Sequence, residues 1–109
     1  MLTATAVVVT DAASRYAKQL VAHLGHKVSI EGVPGDPGAW RFVFAYGVGL
    51  VRAEEARLLL DASAPDEAAL ARVQDVLGRH LQRFGQRAGL TVAWSSPVQA
   101  STEDGRLSG

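Results

Sequence analysis

The chain carries three histidines and no cysteine, so acid–base or metal-ligating chemistry would run through imidazole and not through thiolate. All three lie on or just after two predicted helices, His23 and His26 in the segment Ser14 to Lys27 and His80 in the second helix. His23 follows Leu20 by three residues and Tyr16 by seven, which puts it at the edge of the first helix's apolar face. His80 interrupts a stripe of Leu70, Val73, Leu77, Leu81 and Phe84, so its ring is expected to be at least partly buried and to need partners. If the helices lie side by side, His23 and His80 face each other, while His26 turns in or points to solvent. Two or three neutral imidazoles can hold Zn²⁺, Fe²⁺ or Ni²⁺. Against this, the run from His23 to His26 crosses Gly25, and no Asp or Glu is placed to complete the set. The simpler expectation is that His23 and His80 bond to Tyr16, Gln19 or main-chain carbonyls and fix how the helices pack.

Arg79, Arg83 and Arg87 repeat at four-residue spacing on the flank of the same stripe. With Lys27 they could form a pocket for a carboxylate or phosphate, which guanidinium groups bind in bidentate fashion. A solvated helix edge, its Arg stems covering apolar surface, is the plainer reading. Trp40, Phe42, Phe44 and Tyr46 alternate along one predicted strand, as in a stacking platform for single-stranded nucleic acid. The opposite set, Arg41, Val43 and Ala45, is less apolar, so the aromatic side is expected to lie beneath Leu20, Leu77 and Phe84. There is no Gly-x-Ser-x-Gly, no phosphate-binding glycine loop after a strand and no carboxylate pair in an apolar setting. Glu54-Glu55 reads as a solvated turn. The candidate polar cluster is Tyr16, His23, His26, His80 and Arg83, structural before ligating. No catalytic, metal or cofactor-binding residue is assigned, and no cofactor is expected.

The elements that must position these residues follow from pattern. At 109 residues the chain reads as one domain, burying roughly two-thirds of the surface its unfolded form exposes. Residues 3–9 read as a strand, and Thr10 or Asp11 could cap a helix from Ala12 to Leu24, stopped by Gly25. Val28 to Glu31 alternate as a strand, Gly32 to Gly38 are dense in turn residues, and Ala39 to Tyr46 form the clearest strand. Gly47-Val48-Gly49 permits a tight turn, with strands predicted at Leu50 to Glu54 and Ala56 to Ala62. Ser63-Ala64-Pro65-Asp66 starts the second helix, Leu90 to Trp94 reads as a last strand, and residues 95–109 read as a disordered tail. The order β-α-β-β-β-β-α-β gives an α+β two-layer sandwich in residues 1–94, with both helices on one face of an antiparallel sheet.

Eleven basic residues balance eleven acidic ones, and zero net charge argues against broad capture of nucleic acid or an anionic membrane. The apolar start lacks basic residues and ends at Asp11, and no stretch approaches the ~20 apolar residues a bilayer span needs. The chain reads as a cytoplasmic protein, and the absence of cysteine fits a reducing compartment. Its sheet would leave one face and two edges uncovered, with Thr3, Thr5, Leu50 and Leu59 pointing outward, a surface commonly covered by a second copy. A homodimer is therefore the expected partner.

One series of residues resembles a known family. It is Thr10-Asp11-Ala12, Arg15-Tyr16, Leu20, His23, His26-Lys27, Gly47, His80, Arg83-Phe84, Arg87, Leu90 and Trp94, in this order. The series is similar to the bacterial domain of unknown function 2218 over about residues 3–94. Many members of that family carry a cysteine just after Gly47, where this chain has Val48 and Gly49, so a thiol-based function is not implied. The resemblance implies a fold like that of the TATA-binding protein and of the C-terminal domain of phosphohexomutases. It also implies a genomic association with siderophore and iron-uptake genes. Neither implies a reaction. The resulting expectation is a non-enzymatic binding or accessory module linked to iron or siderophore handling, its small-molecule ligand unspecified. A metal-binding protein or enzyme using His23 and His80 comes second, and a nucleic-acid binder last.

Overall fold

The two faces of the sheet are set by period-two alternation. In the computed structural model, which describes residues 1–99, a first strand β1 (Leu2–Val9) buries Ala4, Ala6 and Val8 and turns Thr5, Val7 and Val9 outward. Helix α1 (Ala13–Leu24) follows, then β2 (Ser29–Val33), β3 (Asp36–Phe44), β4 (Gly47–Ala53) and β5 (Arg57–Ala64). Helix α2 (Glu67–Phe84), a single 3-10 turn (Gln86–Ala88) and a short β6 (Val98–Gln99) complete the order. The strands form one sheet in the order β2-β3-β4-β5-β1-β6, and every pairing is antiparallel. The α+β sandwich expected from the sequence is the observed architecture. No helix among the described residues is long and apolar enough to cross a membrane.

Both helices are amphipathic and pack on the same face. α1 buries Ala13, Tyr16, Ala17, Leu20 and Leu24, and α2 buries Leu70, Val73, Leu77, Gly78 and Leu81. They close over Val8, Phe42, Phe44, Val51, Leu58 and Leu60 in one core. Phe42 is fully buried, Phe44 nearly so, and Trp40 and Tyr46 pack against the core from its margin. The aromatic strand thus faces the helices, and the stacking-platform reading loses its solvent-facing surface. Asp66 caps α2 by accepting the Ala69 N–H at 2.8 Å. At α1 neither Thr10 nor Asp11 is the N-cap: that place falls to Ala12, whose N–H donates to the Thr10 hydroxyl at 3.0 Å.

Several boundaries differ from the sequence reading, each for a local reason. The turn-rich run Gly32 to Gly38 is mostly hairpin, because only Pro34 and Gly35 stand between the paired Val33 and Asp36. Pro34 sets its own φ, and Gly35 takes φ +79°, a conformation that side chains disfavour. Gly47 to Gly49 are not a turn. They begin β4, with Gly47 paired to Phe44, so the reversal falls on Ala45 and Tyr46. Ser63 and Ala64 end β5, and the second helix starts at Glu67. Leu90 to Trp94 make no strand, only a bridge from Trp94 to Ala6. Pairing continues where a tail was expected: Ser95 N–H donates to Thr5 O at 2.7 Å, and β6 pairs with Leu2 and Thr3. The rest of that expected tail, 100–109, lies outside the described residues.

Gly47 and Gly49 are in β4 because α2 lies over them. A Cβ on Gly47 would sit 2.5 Å from Ser63 O and 2.8 Å from a Val73 methyl, and one on Gly49 would sit 2.8 Å from Leu77 Cδ1. Phe42→Ala should cost about 3–5 kcal/mol in denaturant melts, from lost transfer energy plus a cavity. Gly47→Ala should cost about 1–3 kcal/mol by the same measurement, since backbone at Ser63 must move. Gly32→Ala, with open space around it, is the neutral control.

Candidate functional site

The side-by-side helices bring His23 and His80 together. Their ring centroids are 4.8 Å apart and the ring planes are tilted by 54°. Phe84, one turn beyond His80, backs both rings, with its centroid 5.7 Å from His23 in an edge-on arrangement and 6.3 Å from His80. His80 is half-buried and His23 is exposed. The His80 Nδ1 lies 2.6 Å from the Val76 carbonyl oxygen. A carbonyl can only accept, so Nδ1 carries the proton and Nε2 keeps a free lone pair. Of the partners expected from sequence, a main-chain carbonyl is the one found for His80. Among the described residues His23 makes no side-chain hydrogen bond, which leaves both imidazoles with donor or acceptor capacity to spare.

Among the described residues no hydrogen bond or ring contact joins the other members of the expected cluster to this pair. Tyr16 is buried in the core two turns before His23, with the Arg15 guanidinium 5.2 Å from its ring centroid. His26 lies past the end of α1 and is exposed, as is Arg83. The arginine pocket does not form either. Arg79 pairs with Asp75 at 2.9 Å on the flank of α2 that faces Trp94, away from Lys27, and Arg87 is exposed. Among the described residues no three His, Asp or Glu side chains gather as a metal cage.

Lys27 instead borders a groove beside His80. The groove, about 500 Å³, runs between the end of α1, the middle of α2 and the turn joining β3 to β4. Leu24, Val28, Phe44, Tyr46 and Val76 supply apolar wall, and Lys27, Ser29 and His80 supply polar groups. Tyr46 is held in place by stacking on Phe44, centroids 5.4 Å apart, and by the Arg72 guanidinium 3.9 Å from its ring centroid. Sequence reading missed the groove because it assigned Tyr46 to the core. Turn composition points to Gly47–Gly49, so nothing in the sequence marks the reversal at Ala45-Tyr46 that carries this ring to the margin.

A second polar feature lies on the opposite face of the sheet. Asp61, in the middle of β5, is half-buried between Thr5 of β1 and Leu50 of β4. Burial pushes its carboxyl above the usual carboxylate range, against the downward pull of the nearby Arg52 guanidinium. Arg52 itself bonds Asp36 through Nε at 2.9 Å.

Comparison with known proteins agrees with the fold and is silent on chemistry. No curated protein matches the chain. Its structure is similar to the NMR structure of PA4090 from Pseudomonas aeruginosa, with a TM-score of 0.74 and 32% sequence identity over 88% of this chain and 97% of that one. The bacterial family DUF2218, described as an uncharacterized protein conserved in bacteria, matches residues 5–95. The histidine pair, the groove and the sheet that carries them are thus features of a chain that belongs to the DUF2218 family.

Proposed function

We propose that this domain is a non-enzymatic binding module whose ligand is a small apolar molecule bearing an acid group, held in the groove beside His80. The observation that carries this reading is the commitment of His80 Nδ1 to Val76 O, which leaves Nε2 as an acceptor on a ring that lines an apolar groove with Lys27 on its rim. Apolar walls with a few placed polar groups are the usual make-up of a ligand site. An acid group suits both polar members: one oxygen pairs with the Lys27 ammonium, and a proton lies in the hydrogen bond between the other oxygen and Nε2. The absence of a nucleophile–base pair or carboxylate dyad among the motifs supports binding over catalysis. We further propose that the module works as a homodimer. Nothing in the groove's chemistry selects an iron-related ligand over another acid.

A second reading takes the same lone pair as a metal ligand. His80 donating its other ring nitrogen to a carbonyl is the usual orientation of a metal-bound histidine, and His23 stands beside it. The two readings separate by titration. With 3-phenylpropionate as probe and chelator present, amide and imidazole shifts at Lys27, Tyr46 and His80 should move saturably. Lys27→Glu and His80→Leu should each weaken binding roughly tenfold, the loss of one charge-assisted contact. His80→Leu should still melt within about 1 kcal/mol of wild type, because the Val76 carbonyl keeps its helical backbone bond. Unmoved shifts at saturating probe overturn the groove reading. Stoichiometric Zn²⁺ binding lost in both His23→Ala and His80→Leu would establish the metal reading in its place.

A further inference from the structure

The sheet face away from the helices mixes exposed apolar side chains with charged ones, and no described residue covers it. Four of the five exposed large hydrophobic side chains lie there: Val7, Val9, Val43 and Val98, with Val9 82% exposed. The register places them on one side. Val43 pairs with Val48, Val48 with Ser63, Ser63 with Thr3 and Thr3 with Val98. Leu50 and Leu59 fill the middle. One row across the sheet reads Glu31, Arg41, Leu50, Asp61 and Thr5, so a cation and an anion stand on either side of Leu50. Asp61 makes no side-chain hydrogen bond among the described residues, and the nearby Arg52 guanidinium is bonded to Asp36, so the half-buried carboxyl has room for a further cation.

We infer that this face seats a second copy of the chain, docked about a two-fold axis along β4 so that Arg41 of each copy lies over Asp61 of the other. The inference deepens the homodimer reading above and rests on a different face from the groove, which it meets at Val43. An axis through Leu50 exchanges β3 with β5, packs Leu50 on Leu50 and Val48 on Val48, and sets the two charge pairs symmetrically beside them. Arg52 falls near the same axis, and its bond to Asp36 draws the guanidinium back to its own chain. Six strands of two to nine residues at ordinary spacing give a face of roughly 600 Å² in plan, somewhat under the ~800 Å² per partner of a specific interface. Residues 100–109 are a poor alternative cover, because they contain one large apolar side chain, Leu107.

Sedimentation velocity on the full chain and on two charge reversals tests this. Wild type should sediment as a dimer. Arg41→Asp and Asp61→Arg should each associate at least roughly tenfold more weakly, since each sets like charges together twice. An equimolar mixture of the two variants should regain the dimer, because in the mixed pair both oppositions are again of opposite sign. Leu50→Glu, on the axis, should dissociate the dimer while keeping the helical circular dichroism. A wild-type dimer indifferent to both reversals would overturn this docking and leave the homodimer reading standing. A wild type that stays monomeric at high concentration would overturn both.

Discussion

The close seating of α2 on β4 is the constraint from which the rest of the structure follows. Two positions on the helix-facing side of that strand, Gly47 and Gly49, have no side chain, and Val73 and Leu77 of α2 occupy the space a Cβ would need. A helix that sits this low brings Leu70, Val73, Leu77 and Leu81 into the same core as Val51, Leu58 and Leu60. α2 has a matching device of its own. Gly78 leaves room for Trp94 and Val92, so the chain after the helix can return along it and bridge to β1 at Ala6. Close packing of this kind tolerates little change in volume, which is why the glycines matter more than their size suggests.

The seating of α2 also fixes the candidate site. With α1 alongside, the stripe that buries Leu77 and Leu81 turns His80 to the seam between the helices, where His23 and Phe84 meet it. The bond from Nδ1 to Val76 lies within the helix itself, so the orientation of the ring depends on no loop. The ring is therefore held in one orientation and lines a groove whose other wall comes from the sheet. The two faces of the sheet divide the work in this account, the helix side holding ligand and the bare side holding a second copy.

How far the sequence predicts this depends on the kind of signal. Period-two and helical alternation locate both helices and the first five strands, because burial enforces those periods directly. The same alternation shows that Phe42 and Phe44 face inward and that Leu50 and Leu59 face outward. Glycine is the ambiguous letter. Gly47-Val48-Gly49 reads as a turn from composition, but these glycines serve close approach, and only the position of α2 distinguishes the two uses. Spacing along each helix suffices to propose the meeting of His23 and His80. Spacing does not settle whether Arg83 or His26 adjoins them, because a residue's place on its own helix does not say which side of the neighbouring helix it will meet. β6 was illegible for a different reason: Val98-Gln99 pairs through main chain alone, with no side-chain pattern to announce it.

The central claim is that α2 holds His80 with its Nδ1 proton given to Val76 and its Nε2 lone pair free. Long-range ¹H–¹⁵N correlation of the histidine side chains, at a pH where the ring is neutral, reports the tautomer directly. The account predicts a single Nδ1–H tautomer at His80, with Nε2 unprotonated, in the unliganded protein. A His80 in the Nε2–H form, or averaging between the two forms as a free imidazole does, would contradict it.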